Sequence, residues 1–188
     1  ELDSVTGRNG GVDALDSLRI LTGMNSFFSA AIPYDGGSYG IGILSKEKPL
    51  TVRTVPMPGR EEARTMIVAE FRDYVFCATH QTLTPEDQEA SVPLILQAVD
   101  SISKPVFLAG DMNSHPSDKP QQLLREHFVT LNDTAAHTFP ADEPRECIDY
   151  IYVLTNHGHS FEVTQDTVIA EGMASDHRPV LVTVTTGK

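Results

Sequence analysis

Val106-Phe107-Leu108-Ala109-Gly110-Asp111-Met112-Asn113 is an apolar run that stops on a glycine, an acid and an amide. Four apolar residues behind Pro105 read as a buried strand, and Gly110 lets the backbone turn where that strand ends. Two other stretches share this grammar. Ile148-Asp149-Tyr150-Ile151-Tyr152-Val153 sets an acid inside an apolar strand, and Ser175-Asp176-His177 leads through Arg178-Pro179 into Val180-Leu181-Val182. Each polar triplet sits where a β-like run meets a loop.

Working outward, strands outnumber helices. Phe27 to Ile32 and Tyr39 to Leu44 read as strands around a turn rich in Asp35, Gly36 and Gly37. Thr51 to Pro56 alternates, and Thr65 to Arg72 with Tyr74 to Thr79 reads as a hairpin. Cys147 to Leu154, Ser160 to Val168 and Pro179 to Thr185 complete the set. A short helix is expected over Asp13 to Thr22, where Leu15, Leu18 and Leu21 recur at helical spacing before Gly23. Thr84-Pro85-Glu86-Asp87 opens the clearest helix, with Thr84 as cap and the acids at the positive end of the dipole. Pro93 lies inside it and is expected to kink or interrupt it. Gln121 to Phe128 reads as a third helix. Short strands with few helices between them predict an α+β sandwich of two sheets flanked by helices rather than a doubly wound parallel sheet. At 188 residues the simplest organisation is one domain, residues 1–188.

A net charge of −12 argues against a high-affinity, non-specific DNA binder, which would carry a basic face. It leaves room for a nuclease, because a metal site itself favours clustered carboxylates. No apolar run is long enough to span a bilayer, no signal-peptide pattern opens the chain, and the compartment stays open. Cys77 and Cys147 lie in apolar strand-like segments and read as buried free thiols. Asn132-Asp133-Thr134 is a glycosylation sequon that matters only in a eukaryotic secreted chain.

The chemistry-bearing residues are few. Asp111 and Asn113 share a face if the strand stays extended, where an acid and an amide could orient a water and contact a metal or phosphate oxygen. The alternative is a pair of Asx turns. His177 is the best candidate for a general base or phosphate-polarising group, since imidazole titrates near neutral pH. An acid in an apolar strand needs a partner, and Asp149 is expected to hold the His177 ring. His80 ends the strand Val75-Phe76-Cys77-Ala78-Thr79 and could donate to a phosphate oxygen. His157 and His159 read as a solvated loop. Three carboxylates, a carboxamide and an imidazole suit a site that holds a hard divalent cation and attacks a phosphoester.

In order and spacing, Thr79-His80, Gly110-Asp111-Met112-Asn113, Ile148-Asp149-Tyr150 and Ser175-Asp176-His177 resemble the motifs of the endonuclease/exonuclease/phosphatase superfamily of deoxyribonuclease I-like phosphoesterases. Tyr39-Gly40 with Ile43-Leu44-Ser45-Lys46, and Glu62-Ala63-Arg64, are similar to further family segments. The resemblance implies a four-layer α/β/β/α sandwich of two mixed sheets and phosphoester hydrolysis with Mg²⁺, Mn²⁺ being an alternative. It implies that Asp111 orients or deprotonates water, Asn113 contacts phosphate or metal, and Asp149 pairs with His177. His177 would then contact phosphate or activate water, with Asp176 near the metal. His80 would stabilise charge on the phosphoryl group or assist the leaving group, and Arg64 would touch a substrate phosphate, unless it forms a surface salt bridge.

The resemblance also aligns Glu1-Leu2-Asp3-Ser4 with the end of the family's second motif. Glu1 would then be a metal carboxylate, and the two opening strands fall outside the 188 residues. The chain would be a fragment, or would take a complementing segment. An inactive remnant or binding module of the same fold is the non-enzyme alternative. Gly36-Gly37-Ser38-Tyr39-Gly40 matches the serine-hydrolase pattern G-x-S-x-G, but Ile41 to Leu44 is β-like where a helix is required. The substrate is a phosphoester of unspecified kind: small molecule, lipid headgroup or nucleic acid. Recognition loops are expected at 33–38, 56–62 and 137–146.

Overall fold

Six consecutive residues, Arg64-Thr65-Met66-Ile67-Val68-Ala69, are buried, because their strand is covered on both faces. The computed structural model describes residues 1–155 and 158–187. Along the chain come β1 (Leu2–Ser4), a 3₁₀ turn (Gly7–Asn9), α1 (Ala14–Thr22), β2 (Asn25–Tyr34), β3 (Gly37–Ser45), β4 (Thr51–Met57), β5 (Arg64–Glu70) and β6 (Val75–His80). Next are α2 (Pro85–Val99), β7 (Val106–Asp111), α3 (Lys119–Arg125), β8 (Phe128–Thr130), β9 (Asp149–Leu154), β10 (Phe161–Val168) and β11 (Val180–Thr186). The main sheet has the order β4-β5-β6-β7-β9-β8. It is mixed: β6 and β7 run parallel and the other neighbours antiparallel.

Its two faces are buried differently. On one, Val92, Ile95 and Val99 of α2 and Leu124 of α3 join Met66, Val68, Val75, Leu108 and Tyr152 in the larger core. On the other, Ile41 and Ile43 of β3 meet Ile67, Ala69 and Phe71 in a smaller one. α1 packs on β1, β2 and β3 from outside. The result is the α+β sandwich expected from the sequence, with helices as the outer layers.

The second strand layer comes in two antiparallel pieces, β1-β3-β2 and the β10-β11 ribbon. No residue of the ribbon is buried. A cavity of about 830 Å³ runs from Leu2, Ile41 and Leu44 across the floor at Phe76, Ala78 and Ile151 to Pro179 and Val180. Two strands alone are marginal in water, so the ribbon is the weakest-held part of the fold.

Several local expectations need correction. α2 is continuous through Pro93; Pro93 lies on the exposed side, where water can satisfy the carbonyl that the missing N–H leaves free. The side chain of Thr84 makes no cap bond and instead donates to Glu61 Oε2 at 2.9 Å. α3 spans Lys119–Arg125 rather than 121–128, and Phe128 starts β8, buried against Tyr152. Asn132 is buried, its amide bonded to the Asp149 carbonyl at 3.3 Å and its oxygen accepting from Ile151 N at 2.8 Å, so the sequon is closed in the folded chain. Cys77 and Cys147 are free and buried, and burial pushes their thiols up to about 12 and about 11. No helix among the described residues is long and apolar enough to cross a membrane.

Gly110 has φ +152, and a Cβ there would lie 1.8 Å from the Thr79 carbonyl oxygen of the neighbouring parallel strand. Gly110→Ala is therefore expected to cost more than about 3 kcal/mol, through strain and separation of β6 from β7. A melting temperature within about 2 °C of the parent would show that the sheet accommodates the methyl group.

Candidate active site

The parallel pairing of β6 with β7 and the antiparallel pairing of β7 with β9 bring three polar strand ends together. His80 lies beside Asp111, and Asp111 opposite Asp149. Chain direction does this: an apolar run fixes the strand, and its polar terminus is carried to the sheet's end. His177 comes from the loop before β11, and its Nδ1 lies 2.8 Å from Asp149 Oδ2. Phe139 packs against the ring with centroids 4.7 Å apart. Glu1 enters from the far side of the cavity. One carboxylate oxygen of Glu1, one of Asp111 and one ring nitrogen of His177 lie within 4.8 Å of one another.

Charge explains the behaviour of each group. Burial, followed by the nearby Asp149 carboxylate, pushes Asp111 up to about 7. The hydrogen bond that His177 donates to Asp149, with the charges of Asp149, Asp111 and Asp176 behind it, raises His177 to about 9. His177 is thus an imidazolium at neutral pH in the metal-free protein, which suits it to hold or protonate a phosphoryl oxygen. Burial instead drives His80 down to about 4. Neutral His80 can donate from Nε2 to Glu1 Oε1, 3.2 Å away, while Nδ1 accepts from Arg64 Nη1 at 3.0 Å. The two imidazoles are therefore set to opposite protonation states, His80 by burial and His177 by its carboxylate partner.

Three sequence expectations meet different surroundings. Asn113 does not continue the strand: its φ is +47, its N–H donates to Asp111 Oδ1 at 2.7 Å, and its amide donates to the Gln81 carbonyl at 2.9 Å. That is the Asx-type turn, so the shared extended face does not form. Arg64 is buried (8% exposed) and bonds His80; the salt bridge that stood as its alternative role forms with Glu62 at 3.0 Å, and Arg64 does not line the cavity. Asp176 is exposed and lines the cavity, but the cluster of close ligand atoms is Glu1, Asp111 and His177. His157 lies outside the described residues, and His159 donates to the Ser103 carbonyl at 2.7 Å. Ser38 sits inside β3 with no helix after it, so the nucleophile elbow has no structural basis.

Sequence reasoning gave no role to Tyr39, Arg8 or Phe139. The Tyr39 hydroxyl donates to Glu1 Oε2, and its ring meets His80 edge-on at 6.4 Å. Tyr39 lay within the glycine-rich run, but a tyrosine after glycines carries no mark of this contact; Phe139 lies in a loop and Arg8 in the 3₁₀ turn, neither within a motif.

The donor set fits a hard divalent cation. Two carboxylate oxygens converge, one on a nearly buried acid whose ionisation is opposed by burial and by Asp149, so a cation there would relieve an uncompensated charge.

The sequence matches the endonuclease/exonuclease/phosphatase family over residues 5–177. No curated protein matches by sequence. Among solved structures, an endonuclease/exonuclease/phosphatase from Bacteroides vulgatus is similar with TM-score 0.74 and 20% identity, over 92% of this chain and 80% of that one. A mannosyl-6-phosphatase of Bacteroides thetaiotaomicron has TM-score 0.71 and 15% identity, over 91% and 80%. The D. rerio protein TDP2, solved with a single-strand DNA product, has TM-score 0.70 and 14% identity, over 90% and 80%.

Proposed function

Because the chain belongs to the endonuclease/exonuclease/phosphatase family, we propose that it hydrolyses a phosphoester with a divalent cation, Mg²⁺ or Mn²⁺, at the cluster of Glu1, Asp111 and His177. The observation that carries this reading is the convergence of those three groups within 4.8 Å, beside an Asp149–His177 pair at 2.8 Å. Neighbours named for mannosyl-6-phosphate hydrolysis and for a bound DNA product support phosphoester chemistry in general.

Glu1 and Asp111 would hold the cation, which would neutralise a phosphoryl oxygen and ease departure of the leaving group. Asp111 would also orient the attacking water beside the cation; its raised affinity for a proton belongs to the metal-free protein. His177 donates to a phosphoryl oxygen while Asp149 fixes its ring. His80 orients Glu1 and is itself held by Arg64. Asn113, with its amide committed to Gln81, shapes the strand end so that Asp111 faces the cavity. Arg64 and Asn113 act on the substrate through these neighbours, not by direct contact.

Hydrolysis of p-nitrophenyl phosphate and of its bis-ester, measured with Mg²⁺ and again with excess chelator, tests this. Chelation is expected to lower the rate by about a hundredfold or more. Full activity in chelator would sink the metal-dependent reading. Intact folding with no calorimetric binding of Mg²⁺ or Mn²⁺ would instead favour a binding module.

A further inference from the structure

The groups around the cavity identify the kind of molecule that carries the phosphate. Five carboxylates line it (Glu1, Asp3, Asp111, Asp149 and Asp176) against two guanidinium groups, those of Arg8 and Arg178. Arg8 is paired with Asp3, and Arg178 Nε donates to the Ala141 carbonyl at 2.7 Å. With five carboxylates against two guanidiniums in the lining, one divalent cation can balance a single phosphate, whereas a polyanion would meet further acids in a chain of net charge −12.

Arg8 adds the specific element. Its Nε and Nη2 donate to the two oxygens of Asp3 at 2.6 and 2.8 Å, so one edge of the guanidinium is fixed. Its Cζ lies 4.6 Å from the Tyr34 ring centroid and 5.3 Å from that of Tyr39. Across the β1–β3 ladder Asp3 pairs with Tyr39, whose hydroxyl reaches Glu1. The Arg8 side chain remains half exposed, and its Nη1 donors have no protein acceptor among the described residues. A planar edge of donors, neutralised by an adjoining carboxylate and flanked by exposed aromatic surface at Tyr34, suits a neutral ring with hydroxyl groups on its rim and C–H groups on its face.

We propose that Arg8, oriented by Asp3 and Tyr34, is a specificity-determining residue that binds the hydroxyl groups of a sugar monophosphate, so that the substrate is a singly phosphorylated polyol rather than a polyanion. This rests on the hydrolase reading above.

The test compares the parent protein with Arg8→Met and Arg8→Lys, in Mg²⁺, on glucose 6-phosphate, mannose 6-phosphate, p-nitrophenyl phosphate, an inositol polyphosphate and a short 5′-phosphorylated oligonucleotide. Both variants should fold, because a half-exposed ion pair contributes little to stability. In each, KM for the hexose phosphates is expected to rise about tenfold or more with kcat within about threefold, while p-nitrophenyl phosphate is turned over as before. Calorimetric binding of the hexose phosphates to the Mg²⁺-loaded proteins provides a readout independent of turnover, and the same weakening is expected there. Unchanged hexose phosphate binding in both variants would overturn the proposal. So would an absence of hexose phosphate binding to the parent, or a higher kcat/KM for either polyanion. Failure of the parent on p-nitrophenyl phosphate would count against the hydrolase reading instead, with the binding comparison still deciding the role of Arg8.

Discussion

Replacing Asp111 by Asn is expected to cut phosphoester hydrolysis by about a hundredfold or more while making the metal-free protein more stable at about pH 8. The two effects share one cause. Asp111 is 9% exposed, and burial with the adjacent Asp149 charge raises its carboxyl to about 7 in the folded chain. In the unfolded chain it titrates near its ordinary value of 3.8. Between these two values the folded protein holds the proton more tightly, so this group's contribution to stability is fully present below pH 3.8 and is lost as pH rises through 7. Asn is neutral throughout, and its oxygen can still accept from the Asn113 N–H. The gain above neutrality should be on the order of 3 kcal/mol, read as a rise of several degrees in melting temperature. It should shrink once a divalent cation neutralises the parent's carboxylate. A variant that hydrolyses nearly as fast as the parent, or melts lower without metal, would remove Asp111 from the centre of the chemistry.

His177→Ala is the second large effect, again a loss of about a hundredfold or more in kcat. It deletes the cationic donor that Asp149 holds at 2.8 Å. Asp149→Asn keeps a polar partner for the ring but removes the charge, and is expected to cost about tenfold to a hundredfold. It should also bring the His177 titration down from about 9 toward the ordinary value, followed by NMR of the ring. Near-parental rates in His177→Ala, or an unmoved titration in Asp149→Asn, would dismiss the assigned roles.

Much of this arrangement was legible in the chain because local pattern and tertiary need agreed. Val106 to Ala109 could only be a covered strand, and an acid within Ile148 to Val153 required a partner. The Asp149–His177 contact follows from that need. Elsewhere tertiary context prevailed over local signals. Phe128 was drawn from the expected third helix into a short edge strand, where it packs on Tyr152. Pro93 was tolerated because its face of α2 meets water. Asn113 left the extended conformation because Asp111 captured its N–H. Arg64 read as a substrate-phosphate contact or a surface salt bridge, but Glu62 and the neutral face of His80 hold it buried. Arg8 and Asp3 are brought onto Tyr34 and Tyr39 by the packing of a 3₁₀ turn against a hairpin end, which no spacing announces.

The chemical groups are also shared unequally among the pieces of the fold. Asp111 and Asp149 stand on the six-stranded floor, Glu1 on the lip formed by the three-stranded piece, and His177 at the approach to the loosely held ribbon. No one piece carries the full set. On the proposed assignment, turnover gauges the gap between two lips: widening it by an ångström would silence the chemistry while leaving both cores intact, so catalytic and melting curves should part company well before the molecule unravels.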